Sequence, residues 1–171
     1  MRLEHLCRIT MRYTGDSCWQ APYQRSDGGS EQEFGYGTGE GTVTGDVFQG
    51  ALSWVNTPER REDGVWTPDL RGVIKADDGG ELLLAFAGLS IDGEWPEPRR
   101  AIAGRVQLIT EHEPLRWLNT CFIVGEGEID AKVLQWWVDA YVCVNDAVPY
   151  VPKLGAPAPS RFQQGQRPEL F

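Results

Sequence analysis

The stretch from Val65 to Ala87 constrains the fold most, because two runs of strand-forming residues flank the tetrapeptide Asp77-Asp78-Gly79-Gly80. Asp and Gly tolerate the positive φ angles of tight turns, so this pattern predicts an antiparallel hairpin. Side chains alternate between the two faces of a strand, which places Asp69 and Arg71 on the same face of the first arm. An acid and a base two residues apart are common on a strand face that is exposed to solvent. On a face that lines the inside of a barrel, they would bind a polar ligand.

Similar runs follow one another along the whole chain. The sequence predicts further strands over residues 3–14, 101–110, 115–124 and 133–144, and one or two strands over 42–54 around a Thr-Gly-Asp bend. It predicts loops at 15–33, 56–64 and 88–100. The last run is long enough for a helix, but its β-branched and aromatic residues favour a strand. Strands at short intervals with no helix between them predict an all-β fold, a single antiparallel up-and-down β-barrel.

The composition changes near the C-terminal end of the sequence. Residues 149–171 are rich in Pro, Gln and Gly and lack the alternation of a core strand. A chain of 171 residues is long enough for one well-formed core. We therefore predict a barrel domain at residues 1–148 and a Pro-rich tail at residues 149–171.

Charge and cysteine spacing exclude several classes of partner. The net charge of −9 argues against nucleic acid and against an anionic membrane surface. The N-terminal residues lack the apolar core of a signal peptide, so we expect a cytoplasmic protein. The four cysteines have no Cys-x-x-Cys spacing, and the Gly-rich stretch 34–45 lacks the spacing and the following helix of a dinucleotide site. We therefore expect neither a metal ion nor a cofactor.

Four polar residues are candidate catalytic groups: Asp69 and Arg71 on one strand, and Asp139 and Tyr141 on the last. If all four face the lumen, Arg71 would hold a carboxylate or an enolate in its fork of donors. Desolvation would raise the pKa of Asp69 or Asp139 enough to move a proton, and Tyr141 would donate to a developing oxyanion. In the alternative, Asp69 and Arg71 form a solvent-exposed ion pair of little energetic value.

The seven tryptophans provide a second set of candidates. Trp54, Trp66, Trp117 and Trp137 are suited to a ring-lined ligand pocket and equally to an aromatic core. Asn119, in the sequence Trp-Leu-Asn, either hydrogen-bonds a turn or contacts a ligand. These five are the predicted ligand-binding residues.

Several short motifs, in this order, resemble a family of small bacterial and fungal barrels. The motifs are Leu3–Cys7, Gly41–Asp46, Asp63–Trp66 with Asp69 and Arg71, Asp77–Gly79, and Trp117–Asn119. The family is known as domain of unknown function 3237, and the resemblance covers residues 3–144. It implies a barrel similar to the calycins and to allene-oxide-cyclase-like proteins, open at one end, and implies no settled activity. Ser53 stands where many members carry an Asp.

The predicted function is that of a cofactor-independent barrel enzyme. A cyclase, isomerase or dehydratase could act on a hydrophobic, aromatic or polyketide-like molecule in the lumen, because such reactions need a shaped cavity and one oriented acid or base. The alternative is a carrier that binds such a ligand without changing it, and a third possibility is a barrel filled by its own side chains. Aromatic residues on the barrel wall and the tail favour a homodimer.

Overall fold

The computed structural model describes residues 2–14, 18–19, 33–92, 99–130, 133 and 135–144. The predicted tail at residues 149–171 lies outside the described residues, as does most of the predicted loop at 15–33.

The described residues form strands and a single 3₁₀ helix. The long strands are β1 (Arg2–Tyr13), β3 (Glu33–Thr44), β4 (Gly50–Asn56), β7 (Asp69–Ala76), β8 (Glu81–Asp92), β9 (Arg99–Ile109), β10 (Ile123–Asp130) and β11 (Gln135–Val144). The short strands are β2 (Cys18–Trp19), β5 (Glu59–Arg60) and β6 (Trp66–Thr67), and the 3₁₀ helix spans Glu113–Thr120.

The eight long strands close into a barrel. Each pairs antiparallel with the next long strand along the chain, from β1 to β3 and onward to β10 and β11. The first strand β1 also pairs with the last strand β11, with Arg2 opposite Val144, so the ring has no open edge. The predicted up-and-down antiparallel barrel is therefore confirmed.

The predicted hairpin is the β7–β8 pair. Its strands run in register from Asp69 opposite Ala87 to Lys75 opposite Glu81. Gly79 lies at the turn with φ +91°, a left-handed conformation that glycine adopts without a steric penalty. The Asp-Gly sequence thus forms the type of tight connection that its composition predicts.

Several predicted segments differ from the structure. The predicted loops at 15–33 and 56–64 contain the short strands β2 and β5, respectively. The predicted loop at residues 88–100 is shorter, because β8 continues to Asp92 and β9 begins at Arg99. Residues 115–120, predicted as strand, belong to the 3₁₀ helix, which has Pro114 in its first turn. This helix buries Leu115, Trp117 and Leu118 in the core, and this tertiary packing outweighs the local strand propensity.

The interior of the barrel is filled by its own side chains. Alternate residues of each strand face inward, and most are apolar and nearly inaccessible to solvent. Leu52, Ile74 and Val138, on three different strands, are each 1% exposed or less. The 3₁₀ helix covers one end of this core. Within the interior formed by the described residues, space for a ligand lies near the opposite end, where β1, β4 and β8 finish.

Candidate functional site

A small pocket lies at the end of the barrel opposite the 3₁₀ helix. Its volume is about 40 Å³, enough for a small polar group or a few water molecules. The lining residues are Tyr13, Asn56, Pro58, Trp66, Pro68, Ser90, Arg100, Ile129 and Trp136. They come from the ends of β1, β4, β8, β9, β10 and β11 and from the segment that carries β5 and β6. We call this site the mouth pocket.

Three buried polar atoms of mouth-pocket residues have no hydrogen-bond partner among the described residues. They are the hydroxyl Oγ of Ser90, the indole Nε1 of Trp136 and Nε of Arg100, the last of which still lies in an ion pair with Asp92. Ser90 is 1% exposed and Trp136 is 2% exposed, so bulk water does not solvate them. An unpaired buried donor costs about 1–3 kcal/mol, and folded proteins rarely retain one without a role or an occupant for the site.

Tyr13 adds a phenol that burial keeps neutral. Desolvation raises the pKa of Tyr13 to about 12, while a hydrogen bond from Asn56 and the charge of Arg100 oppose the rise. Asn56 Nδ2 donates to the Tyr13 hydroxyl at 2.9 Å, and Asn56 Oδ1 accepts from the backbone N–H of Asp69 at 3.1 Å. Asn56 therefore holds the phenol in place. A neutral phenol at this site keeps its O–H, which can take part in hydrogen bonds, and does not act as a phenolate base.

Arg100 brings a positive charge to the rim of the mouth pocket. Its guanidinium carbon lies 5.0 Å from the centroid of the Trp66 ring, a cation–π arrangement. Its Nε lies 2.6 Å from Asp92 Oδ1, and the Arg100 side chain is 26% exposed whereas that of Asp92 is 61% exposed. The carboxylate is thus on the solvent side of the pair, and Arg100 reaches inward to line the pocket.

Trp54 lies directly below the mouth pocket and supports it. Its ring centroid is 4.7 Å from that of Tyr13 and 5.3 Å from that of Trp136, with the rings at 72° in both pairs. A Cβ atom at position 39 would lie 2.2 Å from Trp54 Cζ2, so Gly39 leaves the space that the indole occupies. Trp54 Nε1 donates to the carbonyl of Glu40 at 3.1 Å, so this indole is paired, unlike that of Trp136.

The predicted pair Asp69 and Arg71 lies on the outer wall of the barrel. The two side chains form an ion pair and are 51% and 59% exposed, respectively. Leu70 and Ile74, at the alternate positions of β7, face the core instead. The structure therefore has the solvent-facing alternative, in which such a pair contributes little to stability.

Asp139 and Tyr141 also face outward, on β11. Arg8 Nε and Nη2 donate to the two carboxylate oxygens of Asp139 at 2.8 and 2.6 Å. These hydrogen bonds hold the pKa of Asp139 below its usual value, with a weaker contribution from His5. This direction is opposite to the raised pKa that the sequence suggested, because Arg8 outweighs desolvation. The four candidates Asp69, Arg71, Asp139 and Tyr141 thus do not meet in the lumen, and their catalytic role stays a prediction.

The five predicted ligand-binding residues are divided among three places. Trp66 lines the mouth pocket, and Trp54 lies beneath it. Trp117 is buried in the 3₁₀ helix at the other end, where Asn119 also lies. Trp137 faces outward, with the guanidinium of Arg8 4.7 Å from its ring centroid.

Asn119 serves the chain's own backbone. Its Oδ1 accepts from the N–H of Thr110 at 2.8 Å, and its Nδ2 donates to the carbonyl of Thr110 at 2.9 Å. This reciprocal pair ties the 3₁₀ helix to the end of β9. Of the two alternatives for Asn119, the structure therefore has the one in which the amide hydrogen-bonds a turn.

Sequence reasoning did not select Tyr13, Asn56, Ser90, Arg100 or Trp136. A signal was present, because Tyr13, Asn56 and Ser90 each follow apolar residues at the inward positions of their strands. A polar side chain at the inward register near a strand end indicates where a filled core gives way to a polar site. Finding these residues together requires knowing which strand ends share one end of the barrel.

The described residues offer no group of three or more His, Cys, Asp or Glu side chains that could hold a metal ion. No helix within the described ranges is long and apolar enough to cross a membrane.

Comparison with solved structures identifies related barrels. A β-barrel-like protein from Acinetobacter baumannii is 18% identical with a TM-score of 0.69, and the match covers 82% of this chain and 94% of that one. A conserved protein of unknown function from Rhodopseudomonas palustris is 17% identical with a TM-score of 0.67, over 84% and 99% of the two chains. An enzyme from Penicillium herquei is 19% identical with a TM-score of 0.53, over 82% and 92%. At these identities the likeness shows the fold alone.

No family model and no curated protein matches the sequence. The fold is that of a small β-barrel, consistent with the calycin-like architecture that the resemblance implies. Membership of the domain of unknown function 3237 family stays a prediction.

Proposed function

We propose that the chain is a cofactor-independent enzyme that acts on a hydrophobic or aromatic small molecule at the mouth pocket. The reaction belongs to the cyclase, isomerase or dehydratase type, in which a carbonyl oxygen gains negative charge. The observation that carries this proposal is the pair of buried groups, Ser90 Oγ and Trp136 Nε1, that have no partner among the described residues.

The pocket residues suit electrophilic catalysis. Hydrogen-bond donors fixed before the reaction stabilise an oxyanion strongly in a site that excludes water. Trp136 and Ser90 would donate to this oxygen, and the neutral phenol of Tyr13 lines the same pocket. Arg100 would add a positive charge close to the developing anion. The likeness of the fold to an enzyme from Penicillium herquei is compatible with this role.

One observation favours the alternative of a carrier. The described lining residues include no Asp, Glu or His, so the pocket offers no base in its ordinary ionisation state. The carboxylate of Asp92 is tied to Arg100 and is mostly exposed. A carrier, which binds its ligand without changing it, needs hydrogen-bond donors in the pocket but no catalytic base.

An enolisation assay separates the enzyme from the carrier. The aromatic β-diketone 2-acetyl-1-tetralone would be incubated with the protein in D₂O, and exchange of its acidic C–H would be followed by proton NMR. We expect the protein to accelerate exchange, with solvent taking the C–H proton and returning a deuteron because the described lining holds no base. The Trp136→Phe variant should lose about a hundredfold or more of this rate, the scale of one lost oxyanion donor. Binding without faster exchange would replace the enzyme proposal with the carrier.

The neighbouring tryptophan provides a matched comparison for the site. Trp137 is adjacent in sequence but faces outward on β11, so Trp137→Phe makes the same chemical change on the outer wall. The proposal expects its exchange rate to equal that of the wild type. If Trp137→Phe lost activity and Trp136→Phe kept it, the mouth pocket would not be the site.

A further inference from the structure

We infer that the mouth pocket selects ligands in which a planar conjugated ring carries an anionic oxygen, such as a carboxylate, an enolate or a phenolate. The inference rests on the proposed function, because it names the chemical class of ligand for the same site. It concerns the ground state of the bound molecule and applies to an enzyme and to a carrier alike.

The hydrogen-bonding chemistry of the pocket requires an acceptor. The indole Nε1–H of Trp136 is a donor that cannot accept, and the guanidinium of Arg100 likewise only donates. The hydroxyl of Ser90 adapts to whatever the other two require. An occupant that itself offers only donors would leave the Trp136 indole unpaired in a site 2% exposed to solvent. The pocket therefore discriminates against ammonium groups.

The charge at the pocket favours an anion over a neutral acceptor. Arg100 brings its positive charge to the wall, and the described lining contains no acidic side chain. Its ion pair with Asp92 runs through Nε, on the side of the more exposed carboxylate. The net charge of the chain is −9, which repels anions at long range. A preference for anions must therefore come from these local donors, whose charge-assisted hydrogen bonds are about twice as strong as neutral ones.

The shape of the pocket favours a flat ring behind the anionic oxygen. Three aromatic side chains, those of Tyr13, Trp66 and Trp136, form much of its wall, and the guanidinium of Arg100 lies over the Trp66 ring. Planar groups stack on such surfaces with little loss of conformational entropy. The volume of about 40 Å³ accommodates the oxygen-bearing group, so the ring lies toward the open side.

Three probes of one shape test the inference. They are 2-naphthoate, 2-naphthalenemethanol and 2-naphthylmethylammonium, and their binding to the wild-type protein would be measured by the shift of the Trp136 indole N–H signal in NMR. We expect 2-naphthoate to bind at least about tenfold more tightly than the alcohol, the scale of a hydrogen bond to a charged group. The ammonium compound should bind more weakly than either.

Two variants with equal changes in net charge locate the source of the preference. Arg100→Met should remove about tenfold or more of the naphthoate affinity and leave that of the alcohol nearly unchanged. Arg105→Met, on the same strand but exposed on the outer wall, should change neither by more than about twofold.

The outcomes distinguish this inference from the proposal on which it rests. If the alcohol or the ammonium compound binds as tightly as naphthoate, with the Trp136 signal shifting in each case, the ligand class is wrong and the site stands. If none of the three probes shifts that signal, and Trp136→Phe leaves the exchange of 2-acetyl-1-tetralone unchanged, the site itself is wrong.

Discussion

Ser90 and Thr110 are two buried hydroxyls with opposite hydrogen-bonding states. Thr110 is 3% exposed, and its Oγ1 donates to the carbonyl of Glu81 and accepts from the N–H of His112. Ser90 is 1% exposed and has no such partner among the described residues. The hydroxyl of Thr110 therefore stabilises the fold, whereas that of Ser90 is available to a ligand.

We expect Ser90→Ala to leave the ligand-free protein as stable as the wild type or to stabilise it by about 1 kcal/mol, because an unpaired buried hydroxyl is removed. Thr110→Val should destabilise it by about 1–3 kcal/mol, because it leaves a carbonyl and an N–H without a partner. Urea unfolding of the two variants measures both values. Equal losses in the two variants would mean that Ser90 is as well satisfied as Thr110.

The 3₁₀ helix depends on one side chain for its attachment to the sheet. Asn119 makes two hydrogen bonds to Thr110, at 2.8 and 2.9 Å, at the end of the barrel opposite the mouth pocket. We expect Asn119→Ala to destabilise the protein by about 1–3 kcal/mol, since both bonds are lost. Urea unfolding measures this change, and the affinity for 2-naphthoate, measured by NMR, should stay that of the wild type. A loss of affinity with unchanged stability would mean that Asn119 contacts the ligand, as the other alternative predicts.

The strands themselves could be predicted because their information is local. The alternation of β11 and the Asp-Gly turn before β8 depend on near neighbours in sequence, and both predictions are confirmed. The 3₁₀ helix was predicted as strand because Leu115, Trp117 and Leu118 look like strand residues until the end of the barrel that they cover is known.

The site was harder to predict, because a polar side chain belongs to it only if its strand position faces the interior of the barrel. Asp69 and Arg71 attract attention as charges in a strand, yet the register of β7 turns them outward and Leu70 inward. Ser90 and Asn56 are less conspicuous in sequence, and their inward position gives them a buried environment. A sequence shows which residues are charged, but the burial of a polar side chain depends on how the strands close into the barrel.

The outer wall of the barrel carries a groove whose lining is mostly apolar but includes Glu126, Glu128 and Asp139, and we expect a second copy of the chain to occupy it. On β8 the outward residues Leu89 and Ile91 are 44% and 51% exposed and form a ridge. Their partners on β9, Ala103 and Ala101, are small, which leaves a groove of about 500 Å³ bounded on its far side by Trp137. A half-turn about an axis along the strands would place the ridge of each copy in the groove of the other.

We therefore expect the protein to self-associate through this surface, as the sequence suggested. Leu89→Lys should shift sedimentation velocity profiles toward the monomer at every concentration, because it places a charge in an apolar contact. Leu3→Lys is the matched control, since Leu3 is 52% exposed on β1, away from the ridge. A wild-type protein that stays monomeric at high concentration, or equal effects of the two variants, would contradict this expectation.

The pairing of β1 with β11 means that the order of strands around the barrel has no natural beginning. Arg2 lies opposite Val144, so the two ends of the ring are neighbours in space. A short linker between them, with new termini cut at the Asp78–Gly79 turn, would give a circular permutant that keeps every strand pair. The new termini would lie, like Arg2 and Val144, at the end of the barrel opposite the mouth pocket, so the permutant should keep the site intact.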